Sequence, residues 1–362
     1  MTTSAQQISA ALRRNDQLRE TFFWAQGSSE DSRTWVVFSH VNTPPHKFSQ
    51  SRVISMLDGA SLFVNCMDNN WYKQGVPGAA SSPAQLVDWL KTCLEDRIAS
   101  DVTFVGHSMG AYAALAVMPE FPDAGFVVTS PELDLNRVGS RSQDNGVGTT
   151  DAWGSLYDRV PQVERSSTGL VLFGAWDPID AHFLGDDKTY DGRFGQVYVV
   201  AHHHGVTEYL TANRYYLPIL LNRRAYTDAL LKRGSLLEIP DADRRAAYRD
   251  FAALNNAVRL GNTQLMQALV PLHPDWANPG WHALVSRALS KLGRPGPALA
   301  SARRAAHLAP TVAEYPLQYA RMARDLSEAK SIAEAENIMV RMDNPHRAVQ
   351  KYLATFHKST ES

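Results

Sequence analysis

Serine at the centre of Gly106-His107-Ser108-Met109-Gly110 is placed to act as a nucleophile, and the residues downstream could activate it. A serine hydroxyl is a poor nucleophile at neutral pH until a base takes its proton, and that base needs a carboxylate to orient and stabilise it. Both appear after the serine, each behind an apolar run. Gly174-Ala175-Trp176-Asp177-Pro178 carries a carboxylate, and Ala201-His202-His203-His204-Gly205 carries three consecutive imidazoles. The chemistry such a set performs is acyl transfer, with the serine oxygen attacking a carbonyl carbon.

The elements that must hold these groups can be read around them. Val102 to Val105 is β-branched and aromatic, whereas Ala111 to Leu115 is alanine-rich, so Ser108 lies on a strand-turn-helix junction. Gly106 and Gly110 flank it because a turn this sharp leaves no space for β-carbons where strand and helix cross. Buried strands are expected at 19–24, 35–39, 60–66, 125–131, 169–174 and 196–200, separated by helical stretches such as the one opened by Ser82-Pro83. That alternation predicts an α/β fold, a mostly parallel sheet with helices on both faces. Residues 132–164, rich in Gly, Asn, Asp and Ser, read as a partly irregular insertion over the site.

Over residues 18–232 the chain resembles the α/β-hydrolase family, through its G-x-S-x-G turn and the order Ser, Asp, His along the chain. The resemblance implies Ser108 as nucleophile, Asp177 as acid with Asp180 as the alternative, and one of the three histidines as base. His204 is preferred because Gly205 and a helical spacing of Val206 and Leu210 follow it; His203 comes next and His202 last. An oxyanion hole is expected from the amide of Met109 and one from the loop after Ser39. That loop lacks the family's usual His-Gly pair and reads His40-Val41-Asn42, so the second donor is assigned to Asn42, with Val41 as the alternative. Trp71, Tyr72 and Trp176 are expected near the site as substrate-lining aromatics. No cofactor is implied. No metal is expected either, since adjacent histidines on extended chain point to opposite sides and no H-E-x-x-H pattern is present.

The remaining sequence bounds partners and architecture. The 362 residues carry 36 basic and 37 acidic side chains, a net charge of −1, which offers no basic surface for nucleic acid or membrane. Two cysteines, Cys66 and Cys93, provide no disulfide framework, and the N-terminal residues lack a secretory pattern, so a cytoplasmic location is expected. A catalytic domain is expected over 1–233 and a helical one over 234–362. In the latter, Leu260-Gly261, Leu292-Gly293 and Leu326-Ser327 recur at similar spacing, and residues 280–310 are similar to a tetratricopeptide repeat. Such repeats suit a protein partner or self-association. The function expected is cleavage of a small-molecule or glycan-linked carboxylic ester through an acyl-enzyme. The alternatives are acyl transfer from the same triad, or a catalytically inactive scaffold that binds a partner through the repeats.

Overall fold

The structure is a computed structural model that describes residues 5–14, 16–28, 33–147, 154–161, 169–343 and 345–360. Parts of the expected insertion, 148–153 and 162–164, lie outside the described residues. The chain divides into two units, 1–174 with 183–245 and 175–182 with 246–362.

The first unit is built on a nine-stranded sheet: β1 (Gln17–Arg19), β2 (Phe23–Gln26), β3 (Thr34–Phe38), β4 (Ala60–Val64), β5 (Val102–His107), β6 (Gly125–Thr129), β7 (Gly169–Gly174), β8 (Gln196–Val200) and β9 (Leu236–Leu237). Their spatial order is β1-β2-β4-β3-β5-β6-β7-β8-β9. The six strands from β4 to β8 are parallel, and antiparallel strands close both edges. The strand expected over 19–24 is instead the hairpin β1–β2. Its members are three and four residues long, too short to display a period of their own. The sheet also continues to Leu237, past the boundary expected at 233, because the two-residue β9 pairs with β8.

The described helices of six residues or more in this unit are α1 (Ala5–Arg13), α2 (Pro83–Cys93), α3 (Met109–Val117), α4 (Val206–Ala212), α5 (Tyr216–Leu221) and α6 (Arg223–Lys232). All residues of β3 to β7 are buried, as strands covered on both faces must be. On one face Trp35, Val37, Val105, Val127 and Leu172 pack with Val206, Leu210 and Ile219 from α4 and α5. On the other, α3 lies against β3, β5 and β6, while α1 packs on α2 and β4. The Ser82 side chain accepts the Gln85 amide and starts α2, with Pro83 fixing its first position. Both cysteines are buried and free.

The second unit holds α7 (Ala242–Leu260, its first residues counted with the sheet), α8 (Thr263–Leu269), α9 (Pro279–Lys291), α10 (Pro295–Leu308), α11 (Glu314–Asp325), α12 (Ala329–Val340) and α13 (Arg347–Thr360). Gly261, Gly293 and Ser327 share a left-handed backbone, with φ of 69°, 69° and 56°, just past the ends of α7, α9 and α11. The spaced Leu-Gly and Leu-Ser pairs are therefore equivalent helix stops. Ala283, Ala302, Ala305, Ala306 and Ala320 are buried between successive helices, where their small side chains allow close packing around Tyr315, Tyr319 and Met339. Among the described residues no helix is long and apolar enough to cross a membrane.

Candidate active site

Ser108 follows the last residue of β5 and precedes the first of α3, with φ 53° and ψ −117°. A non-glycine residue held there stores on the order of 1–3 kcal/mol of backbone strain. The flanking glycines permit it. A β-carbon on Gly106 would lie 2.3 Å from the Gly110 carbonyl carbon, and one on Gly110 would lie 2.2 Å from the Phe38 carbonyl oxygen. The first turn of α3 is thus seated directly on the end of β3. Ser108 is 1 % exposed, and among the described residues its Oγ makes no hydrogen bond. A buried hydroxyl without a partner costs about 1–3 kcal/mol, so strain and desolvation meet on one residue.

The three histidines after β8 separate by environment. The His202 ring stacks on Tyr209 at 4.7 Å and meets the His203 ring at 4.1 Å, tilted by 42°. Nδ1 of His203 accepts the Gly205 amide at 3.0 Å. The His204 ring lies 4.9 Å from that of His107, the residue next to Ser108, and its carbonyl accepts the Ser130 hydroxyl at 3.2 Å. Among the described ring contacts, the one that reaches the serine turn from these three residues is that of His204.

His107 belongs to the support. Its Nδ1 is 2.9 Å from Thr129 Oγ1, which is 2.6 Å from Thr207 Oγ1, so a buried polar chain ties β5, β6 and α4 together. Burial, then the neighbouring imidazoles of His204 and His40 and the Arg141 cation, hold the His107 pKa well below the usual histidine range. Burial and His203 push His202 down to about 3. Below about pH 6.5 the unfolded chain protonates both rings while the fold keeps them neutral, so stability is lost as pH falls. The thermal midpoint should therefore drop between about pH 7 and pH 4.5, and less steeply in His202→Gln. Equal slopes in the two proteins would show that His202 carries none of this dependence.

The acids occupy different settings. Asp177 comes three residues after β7, in the segment counted with the helical unit, and is 8 % exposed. Its Oδ1 accepts the amides of Ile179 and Asp180 at 2.9 and 3.0 Å, which starts the short helix Asp180–Leu184. Asp180 is 1 % exposed. Glu132 carries a signal that sequence reasoning missed. It lies three residues past β6 and is 1 % exposed, with Oε2 accepting the Ser142 amide at 3.1 Å and Oε1 the Arg141 amide. Burial raises its pKa, opposed by the Arg141 cation, those amides and the nearby His204 imidazole. A carboxylate directly behind Thr129-Ser130-Pro131 at a strand end was the available clue.

The remaining expected residues divide. The Met109 amide opens α3, where no earlier turn of helix supplies an acceptor. The Asn42 amide is already engaged, donating to Asn69 Oδ1 at 2.6 Å in a loop where Asn42 is exposed, which leaves Val41 as the second expected donor. Trp71 and Tyr72, expected as substrate-lining, are fully buried. The Tyr72 hydroxyl sits 3.0 and 3.1 Å from the carbonyls of Val64 and Ser39, and its ring meets Phe38 edge-on. Trp176 faces Tyr315 within the helical unit at 6.4 Å. A polar cavity of about 240 Å³ opens beyond β4, lined by Asp68, Lys73, Gln74 and Asn145 among others, and Ser108 does not line it.

The strand order, with the antiparallel β2 and a strained serine directly after β5, defines the α/β-hydrolase fold. No family model matches the chain, and no curated protein matches it in sequence. Solved structures similar to it include the capsule O-acetyltransferase of Neisseria meningitidis serogroup A, at 11% identity and TM-score 0.40 over 58% of this chain and 99% of that one. Thermogutta terrifontis esterase 2 aligns at 13% identity and TM-score 0.39, over 60% of this chain and 91% of its own. MGS-MChE2, an alpha/beta hydrolase enzyme from the metagenome of Mar Chica lagoon sediments in Morocco, aligns at 13% and 0.37, over 56% and 97%. These likenesses assign no residue of this chain.

Proposed function

We propose that the sheet unit is a serine hydrolase acting on a carboxylic ester, with Ser108 as nucleophile, His204 as base and Asp177 as acid. The observation that carries this reading is the strained Ser108 on a nucleophile elbow, with the His204 ring beside its neighbour His107. His204 takes the Oγ proton as Oγ bonds to the acyl carbon. The amides of Met109 and Val41 hold the resulting oxyanion. The ester C–O bond then breaks, and the proton on His204 passes to the leaving alkoxide. Water repeats the sequence on the acyl-enzyme and restores Ser108. Asp177 keeps the imidazole in the tautomer that presents a bare nitrogen to the serine. Glu132, buried three residues past β6 with the Arg141 and Ser142 amides on its carboxylate, is the second reading for the acid.

Acyl transfer to an alcohol is the alternative outcome of the same acyl-enzyme. The burial of Ser108 favours it, because a site closed to bulk water lets a bound acceptor compete. Turnover of p-nitrophenyl acetate with and without added glycerol separates the two. Hydrolysis yields acetate equal to the p-nitrophenol released, whereas transfer leaves a deficit recovered as acetylated glycerol. Absence of turnover across acyl chain lengths counts against both and favours a scaffold. The helical unit, read as tetratricopeptide-like from its residue repeat, enters this proposal as an appended module.

A further inference from the structure

A second cavity, of about 680 Å³, lies where the parallel strands begin, at the edge of the sheet opposite Ser108. It is formed by the starts of β3, β5, β7 and β8 and by the junction of α5 and α6, and the four residues of β5 beyond Thr103 separate it from the serine by roughly 17 Å. Arg33 and Arg223 line it, with Asp101, Gln196 and Asn222.

The two guanidinium groups are held in place. Arg223 Nη2 donates to Thr103 Oγ1 at 3.0 Å, and the group lies on Gly125, where a β-carbon would come within 2.4 Å of it. Arg33 Nη1 donates to the Leu221 carbonyl at 3.1 Å. Burial, reinforced by the Arg33 cation, pulls the Arg223 pKa down to about 10, so Arg223 remains charged at neutral pH. The first turn of the ten-residue α6 adds its positive dipole end at Asn222 and Arg223. Planar forks of donors suit phosphate oxygens, and the volume falls in the range of small-ligand sites.

The geometry points to a non-catalytic binding site here for a small hydroxylated organic phosphate. The phosphoryl group sits between Arg33 and Arg223, and its hydroxyls face Asp101 and Gln196. This inference is independent of the ester chemistry proposed for Ser108.

Calorimetric titration of the full-length protein with glucose 6-phosphate, glucose and inorganic phosphate tests it. Glucose 6-phosphate should bind saturably, inorganic phosphate more weakly and glucose not at all. Arg33→Ala, an exposed position at which the fold should survive, should weaken glucose 6-phosphate binding by about tenfold or more. Ser108→Ala should bind it unchanged, which distinguishes this cavity from the catalytic site. No saturable binding of glucose 6-phosphate up to about 10 mM, or equal affinity in Arg33→Ala, overturns the inference.

Discussion

Ser108→Ala should lower ester turnover by about 10⁵-fold or more while leaving the protein at least as stable as the wild type. The two effects have one cause. The serine hydroxyl is buried and makes no hydrogen bond among the described residues, so removing it breaks no bond and relieves a desolvation cost of about 1 kcal/mol or more. The left-handed backbone at this position stays in both proteins, since the close backbone crossing that Gly106 and Gly110 permit does not involve the serine side chain. A thermal midpoint unchanged or raised, together with lost activity, is the signature of a residue kept for chemistry at the expense of stability. Lost activity with a markedly lowered midpoint would instead mark Ser108 as structural.

His204→Ala should cost about as much as Ser108→Ala, and the double variant little more, because base and nucleophile act as one unit. His202→Ala and His203→Ala should each fall by less than about tenfold, since their rings are occupied with Tyr209 and the Gly205 amide. The acid then discriminates the two carboxylate readings. Asp177→Asn should lower kcat by about 10⁴-fold with KM little changed, because the amide stabilises the wrong imidazole tautomer. If Glu132 is the partner, that loss moves to Glu132→Gln and Asp177→Asn keeps most of its activity. Equal, small losses at all three histidines would remove the base from the account.

Much of the serine turn was legible from residue types because its geometry leaves few choices. Gly106 and Gly110 each stand where a β-carbon would meet backbone at 2.2 to 2.3 Å, so the pattern records a steric requirement. Buried strands such as β3 and β7 announced themselves as continuous apolar runs for a similar reason. Less was legible where neighbours in space decide. Trp71 and Tyr72 follow a strand end, as substrate-lining residues would, yet Tyr72 fills the space between Phe38 and the carbonyls of Ser39 and Val64. Only the loop's fold shows that. The Asn42 amide is claimed by Asn69, 27 positions away, which no local pattern announces. The order of preference among the three consecutive histidines came only from the residues that follow them, whereas what each ring meets is decided in space. Glu132 went unnoticed since its importance comes from α4's approach to the end of β6 and from the amides of residues 141 and 142.

Covalent labelling by a fluorophosphonate tests the central claim most directly, because the reagent reacts with an activated serine and reports no substrate preference. The wild-type chain should gain one phosphonyl group, located by peptide mapping on Ser108, at a rate that falls sharply in His204→Ala. A folded wild-type protein that stays unlabelled, or that carries the label on another serine, would contradict the account.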